Sequence, residues 1–164
     1  MEIQILSCIE GARQAKGLTV IIDVFRAFSL ECYLFAAGAK EIYPIGELES
    51  AFQLKKEHPD WILFGERKGA KVEGCDFGNS PSEIRGMDFT SKTLIHTTSA
   101  GTQGIIHATG ADEIITASFV NAKAVASYIE KRHPDVISIV GMGNAGIQPT
   151  KEDQLCAEYI KSLL

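Results

Sequence analysis

No run of apolar residues in this chain approaches the roughly 18–20 needed to cross a bilayer. The richest stretch, 27–37, is interrupted by Ser29 and Glu31 and reads as a core helix. A stripe of basic residues is missing as well. The net charge is −5, and a nucleic-acid backbone demands a concentrated basic face, so the balance argues against a nucleic-acid partner. Cys8, Cys32, Cys75 and Cys156 are widely spaced and form no C-x-x-C pair. Met1-Glu2-Ile3-Gln4 lacks the positive region and apolar stretch of a secretion signal. Reduced thiols and a cytoplasmic setting are therefore expected. No repeat, low-complexity tract or linker divides the 164 residues, which suffice for one domain around one core.

What is present is an alternation of apolar runs. Leu18–Asp23 is β-branched and shows no polar alternation until its last residue, the mark of a buried strand. A helix is expected from Arg26 to about Ala37, with Gly38 as its stop. Strand Glu41–Ile45, helix Leu48–Glu57 and strand Trp61–Gly65 follow. Strand Thr93–Thr97 leads into a short helix near Thr102–Ala108. Strand Glu113–Thr116, helix Asn121–Lys131 and strand Val136–Val140 come next. A closing helix starts at Thr150, where Thr150 and Asp153 have capping-box spacing. Strands alternating with helices of this length pair in parallel, which predicts an α/β fold, a three-layer α/β/α sandwich with a mostly parallel sheet. The exception is 66–87, a long glycine-rich segment whose polar side chains point to function. Within it Ser80-Pro81-Ser82-Glu83 has the form of a helix start, Ser80 as N-cap.

Ligands of parallel sheets bind beyond the carboxyl ends of the strands. Asp23, Glu66, the Thr97-Thr98-Ser99 turn, and the segment from Gly141 to Glu152 and Asp153 all fall there. Gathered carboxylates repel one another unless a cation compensates, and Mg²⁺ is the natural partner of oxygen ligands. Thr97 to Thr102 sets hydroxyls and a glycine at a strand-to-helix junction, a cradle for anionic oxygens. Arg26 opens the helix after Asp23, and Arg67, Lys68 and Lys71 crowd beside Glu66. Such cations bind phosphate oxygens, although Lys68 and Lys71 read equally well as a solvated loop.

Other signals fail. Gly141-Met142-Gly143-Asn144-Ala145-Gly146 matches a dinucleotide fingerprint, but no later strand follows to bring a ribose-binding acid. His58, His96, His107 and His133 lack metal-ligand spacing and read as structural or surface residues. No cysteine–arginine spacing resembles a cysteine phosphatase loop, and Asp23-Val24-Phe25 lacks the second acid of an aspartyl-phosphate phosphatase.

Four blocks in order carry a family resemblance: Ile22-Asp23-Val24-Phe25-Arg26-Ala27; Gly65-Glu66-Arg67 continuing to Gly74-Cys75-Asp76-Phe77-Gly78-Asn79-Ser80-Pro81; Thr97-Thr98-Ser99-Ala100-Gly101-Thr102; and Glu152-Asp153 with Cys156-Ala157. Together they resemble the 2-phosphosulfolactate phosphatase family of coenzyme M biosynthesis. The resemblance implies a Mg²⁺-dependent hydrolase converting the small anionic phosphomonoester 2-phospho-3-sulfolactate to 3-sulfolactate and phosphate. Carried over by motif, Asp23, Arg26, Glu66 and Arg67 are the expected catalytic residues. Asn79, Ser80, Thr97, Thr98, Gly101 and Thr102 are expected to bind substrate. Asp23, Glu66, Asp76, Glu152 and Asp153 are expected around the metal, with Asp23 alternatively a nucleophile or general base. Two features depart from the family pattern: Ala100 stands where Asn is frequent, and family members continue well past Glu152-Asp153. The expectation is thus one phosphatase domain over 1–164 without the C-terminal part of full-length members, and a homodimer. The competing readings are a phosphatase for another 2-hydroxy-acid phosphate and a non-catalytic anion-binding protein.

Overall fold

The β-branched run at 17–22 is the keystone of the architecture. In the computed structural model, which describes residues 1–164, Leu18 to Ile22 are almost wholly buried. The elements are β1 (Glu2–Ser7), α1 (Cys8–Gln14), β2 (Gly17–Ile22), α2 (Ala27–Ala36), β3 (Glu41–Pro44), α3 (Leu48–Glu57), β4 (Ile62–Arg67) and β5 (Ala70–Lys71). A 3-10 turn at Pro81–Ile84 precedes β6 (Thr93–Thr97), α4 (Gly101–His107), β7 (Ala111–Ala117), α5 (Ala122–Arg132), β8 (Val136–Gly141) and α6 (Lys151–Ser162). No helix is long and apolar enough to cross a membrane.

The expected α/β class with parallel pairing is observed, and the strands divide between two sheets. One has the order β1-β8-β2-β7 and is parallel throughout; the other runs β3-β6-β4-β5, with only β5 antiparallel. Strand alternation sorts side chains between opposite faces. In the first sheet Leu18, Val20, Ile22, Ile137 and Ile139 pack with Val125, Ile129 and Ile160 of α5 and α6. Ile21 and Val140 pack on the other face with Ala12 of α1, Ala27 and Phe28 of α2, and Ala108 after α4. In the second sheet Phe64 and Leu94 meet Leu30 and Leu34 of α2, while Leu63 and Ile95 meet Ala51 of α3. Helix α2 therefore joins both sheets: its first turn packs on one and its middle on the other. Each fully buried aliphatic or aromatic side chain of this kind stabilises by about 1.5–3 kcal/mol.

Several local readings needed correction. β1 and α1, missed in the sequence, add an edge strand and a short helix; β1 is only half-buried, so its apolar signal is weak. Part of the irregular segment is a hairpin, in which Arg67 pairs with Ala70 across a two-residue turn. Lys68 and Gly69 both take positive φ (54° and 79°), the backbone a tight hairpin turn demands. Ser80 precedes a 3-10 turn, not an α-helix, and gives no side-chain cap. Thr150 is the N-cap position of α6, but its side chain makes no capping bond, and the Asp153 carboxylate accepts from Val24 and Gly143 instead of reaching back to Thr150.

Candidate active site

The carboxyl ends of β2, β4, β6 and β8 surround a cavity of about 350 Å³, lined by Asp23, Arg26, Glu66, Asn79, Ser99, Glu152 and Asp153 among others. A larger groove of about 630 Å³ opens at the amino ends of the first sheet. Its charges are surface ones, such as Glu113 paired with Arg132 at 3.1 Å, so no buried carboxylates converge there.

Asp23 follows β2 directly. Its Oδ1 accepts the Ala27 N–H at 3.2 Å, which ties it to the start of α2; Oδ2 takes no bond from the chain. Asp153, in the first turn of α6, accepts the Val24 N–H at 2.9 Å through Oδ1 and the Gly143 N–H at 2.7 Å through Oδ2. One carboxylate thus clamps the loops after β2 and β8. Glu66 does the same for the second sheet: it accepts the Ser99 N–H at 2.6 Å, the Gly69 N–H at 2.8 Å and the Ser99 hydroxyl at 3.2 Å. Gly69 is held from the other side by Arg26, whose guanidinium donates to its carbonyl at 3.1 Å.

Burial pushes the Asp23 carboxyl up to about 7, and the Asp153 carboxylate adds to the shift, as does Glu66 to a smaller extent. The Ala27 N–H bond and nearby His96 oppose it. Asp153 is raised as well, first by burial and to a smaller extent by Glu152, against the pull of the Val24, Gly143 and Met142 N–H groups. The cavity therefore gathers carboxyl groups whose ionisation is disfavoured by burial and by one another.

The donors can be tested against a metal. No three His, Cys, Asp or Glu side chains converge tightly enough to cage an ion. Mg²⁺ does not require that; it keeps several waters and binds through one or two carboxylates plus phosphate oxygens. The unbonded Oδ2 of Asp23 and the half-buried Glu152 fit that mode. So does the Thr150 hydroxyl on the cavity wall, a buried oxygen with no hydrogen-bond partner in the chain.

Other expected site residues lie elsewhere. Arg67 is next to Glu66 in a strand, so it faces away. Its guanidinium donates to the Glu66 carbonyl at 2.7 Å, the Gly46 carbonyl at 3.0 Å and Thr97 Oγ1 at 2.9 Å, which occupies Thr97 too. Asp76 lies beside the middle of β4, where it accepts the Leu63 N–H at 2.8 Å and pairs with Lys55 at 3.0 Å; it is not among the cavity carboxylates. Lys71 donates to the Asp76 carbonyl at 3.0 Å, while Lys68 borders the cavity. Thr98 and Thr102 bond each other's backbone, Thr98 N–H to Thr102 Oγ1 at 2.9 Å and Thr102 N–H to Thr98 Oγ1 at 3.0 Å. They stiffen the turn and present no hydroxyl to a ligand. Ser80 shares a hydrogen bond with Ser82. Gly101 matters for space: a Cβ there would lie 2.9 Å from Asp23 Oδ2 and from Ala27 Cβ.

Sequence reasoning missed His96 and its partner Glu31. His96 is not an incidental core residue. It is fully buried, with one ring nitrogen 2.8 Å from Glu31 Oε1 and the other 2.9 Å from Asn79 Oδ1. The available signal was position: His96 immediately precedes the Thr97 turn.

The sequence profile of the 2-phosphosulpholactate phosphatase family matches residues 5–164. The chain belongs to this family. Among curated relatives, a probable 2-phosphosulfolactate phosphatase of Bacillus subtilis is 38% identical over 149 residues, covering 90% of this chain and 64% of the relative. One of Carboxydothermus hydrogenoformans is 40% identical over 165 residues, covering 100% and 68%. A third, of Clostridium perfringens, is 36% identical, covering 91% and 62%. The chain thus spans about two thirds of the length of the relatives it matches.

Proposed function

We propose that this member of the 2-phosphosulfolactate phosphatase family is a Mg²⁺-dependent hydrolase releasing phosphate from 2-phospho-3-sulfolactate. The observation that carries the reading is the convergence of Asp23, Glu66, Glu152 and Asp153 with Arg26 and Asn79 around one cavity. The names of the relatives supply the substrate. Asp23 and Glu152 would hold the ion, and Mg²⁺ when bound would supply charge stabilisation for the phosphoryl group. Glu66 and Asp153, whose oxygens already accept backbone N–H bonds, fix the loops that frame it.

Hydrolysis joins a water oxygen to phosphorus and breaks the ester P–O bond; a water proton passes to the departing alkoxide oxygen, which gives 3-sulfolactate and phosphate. Such transition states are loose, and what a protein supplies is alignment and charge. Arg26 and Lys68 line the cavity; Arg26 would pair with phosphoryl oxygens and Lys68 would meet the distal sulfonate or carboxylate. The cavity is small and polar, which suits a compact polyanion.

The test is phosphate release from a panel of small phosphomonoesters, with and without the sulfonate, in Mg²⁺ and in chelator. The expected result is Mg²⁺-dependent turnover, highest for the sulfonated 2-phospho acid. Equal turnover of the non-sulfonated analogue would move the substrate to another 2-hydroxy-acid phosphate. Tight phosphate binding with no release from any ester would make this an anion-binding protein.

A further inference from the structure

Across the second sheet runs a buried chain of three polar side chains that the proposed hydrolysis does not itself use. Glu31 comes from α2, His96 from β6 and Asn79 from the loop before the 3-10 turn; they are 7%, 0% and 5% exposed. His96 Nδ1 is 2.8 Å from Glu31 Oε1, and His96 Nε2 is 2.9 Å from Asn79 Oδ1. The ring is fully buried and stands edge-on to Phe64 at 6.5 Å and 80°. Only Asn79 of the three reaches the cavity.

With its oxygen occupied by the histidine, the Asn79 amide has one group left, Nδ2, which takes no partner from the chain. An Oδ1 facing Nε2 requires a proton on that nitrogen, so the ring donates to the amide oxygen. The ring bridges the Glu31 carboxyl and the amide, and the bond from Nε2 polarises the amide that accepts it. We infer that Glu31 and His96 are positioning residues that lock Asn79 with its amide N–H group turned into the cavity, as a fixed donor to a phosphoryl oxygen. This rests on the phosphatase reading of the cavity and adds a means of recognition to it. A donor oriented before the substrate arrives costs no reorganisation when charge develops on the oxygen. Hydrogen bonding from a free asparagine in a glycine-rich loop would lack that advantage.

The decisive experiment is a mutant cycle read by kcat and KM on the best ester of the panel, and by calorimetric binding of inorganic phosphate. Asn79→Ala is expected to lower kcat roughly 100-fold, the loss seen for one oriented oxyanion donor, with a smaller change in KM. The paired variant Glu31→Gln/His96→Gln removes both buried ionisable groups together, so that neither is left facing an altered partner. It is expected to lose at least tenfold in kcat, and adding Asn79→Ala to it should give no more than the single Asn79→Ala loss. Losses that multiply, or a paired variant with unchanged kcat, would overturn the inference. Should the paired variant fail to fold, the side-chain amide resonance of Asn79 in the unaltered protein decides. It is expected to shift on titration with inorganic phosphate, and an unmoved resonance with phosphate bound overturns the proposal. If the unaltered protein hydrolyses no ester, the phosphatase reading fails separately, and the phosphate titration still judges Asn79 as an oriented donor.

Discussion

Replacing Asp23 by Asn removes a carboxylate whose pKa is pushed up to about 7 from an ordinary 3.8, by burial first and by Asp153 next. The folded state holds the proton more tightly than the unfolded chain. Between pH 3.8 and 7 the native protein therefore binds more protons, and stability declines as pH rises through that window. At pH 8 Asp23 is ionised in both states, and the full penalty applies. A difference of about three units corresponds to about 4 kcal/mol, at 1.36 kcal/mol per unit. Asn keeps the oxygen that accepts the Ala27 N–H and carries no charge. In chelator at pH 8, Asp23→Asn should thus be the more stable protein by at most about 4 kcal/mol, or roughly 8–16 °C in Tm for a chain of this size. At pH 4 the two proteins should melt nearly together. Thermal melts at pH 4, 6 and 8, with and without Mg²⁺, measure this directly, and Mg²⁺ should narrow the gap by neutralising the wild-type carboxylate. Phosphate release should be lost in the same variant. A variant that melts at or below the wild type at pH 8, or a gap independent of pH, would refute the claim that burial and Asp153 disfavour the ionised Asp23 carboxylate.

Asp76→Ala should leave Mg²⁺-dependent phosphate release within about twofold while costing about 1–3 kcal/mol, because it strands the Leu63 N–H; abolished turnover in a folded variant would return Asp76 to the site. Gly101→Ala places a Cβ 2.9 Å from Asp23 Oδ2 and Ala27 Cβ; denaturant melts should show a loss of about 1–3 kcal/mol from overpacking, and phosphate release should fall because Asp23 is displaced. Phe28→Ala empties a fully buried position where α2 meets the first sheet and should cost about 3–5 kcal/mol in urea unfolding. Chelation should abolish phosphate release and excess Mg²⁺ should restore it; turnover that survives chelator would remove the ion from the mechanism.

Much of this molecule was legible along the chain because its signals are local. The β-branched run before Asp23 specifies a buried parallel strand, Gly38 with φ of 98° ends α2, and acids at strand ends mark the edge where a ligand sits. Contiguity in sequence was a poor guide to contiguity in space. Glu66 and Arg67 are neighbours, yet a strand sends them to opposite faces, and Arg67 ties down Gly46 and Thr97 instead of facing the cavity. Thr98 and Thr102 are spaced like an anion cradle, but they satisfy each other's backbone. Conversely Glu31, Asn79 and His96 share no motif; they meet because α2, a loop and β6 pack on one face of one sheet. Local propensity, periodicity and chain stops set the elements and their order, since these depend on residues within a turn or two. Which carboxylate opens onto the cavity, which is spent on a backbone N–H, and what charge each carries depend on burial and on partners distant in sequence, and only the packed fold brings those together.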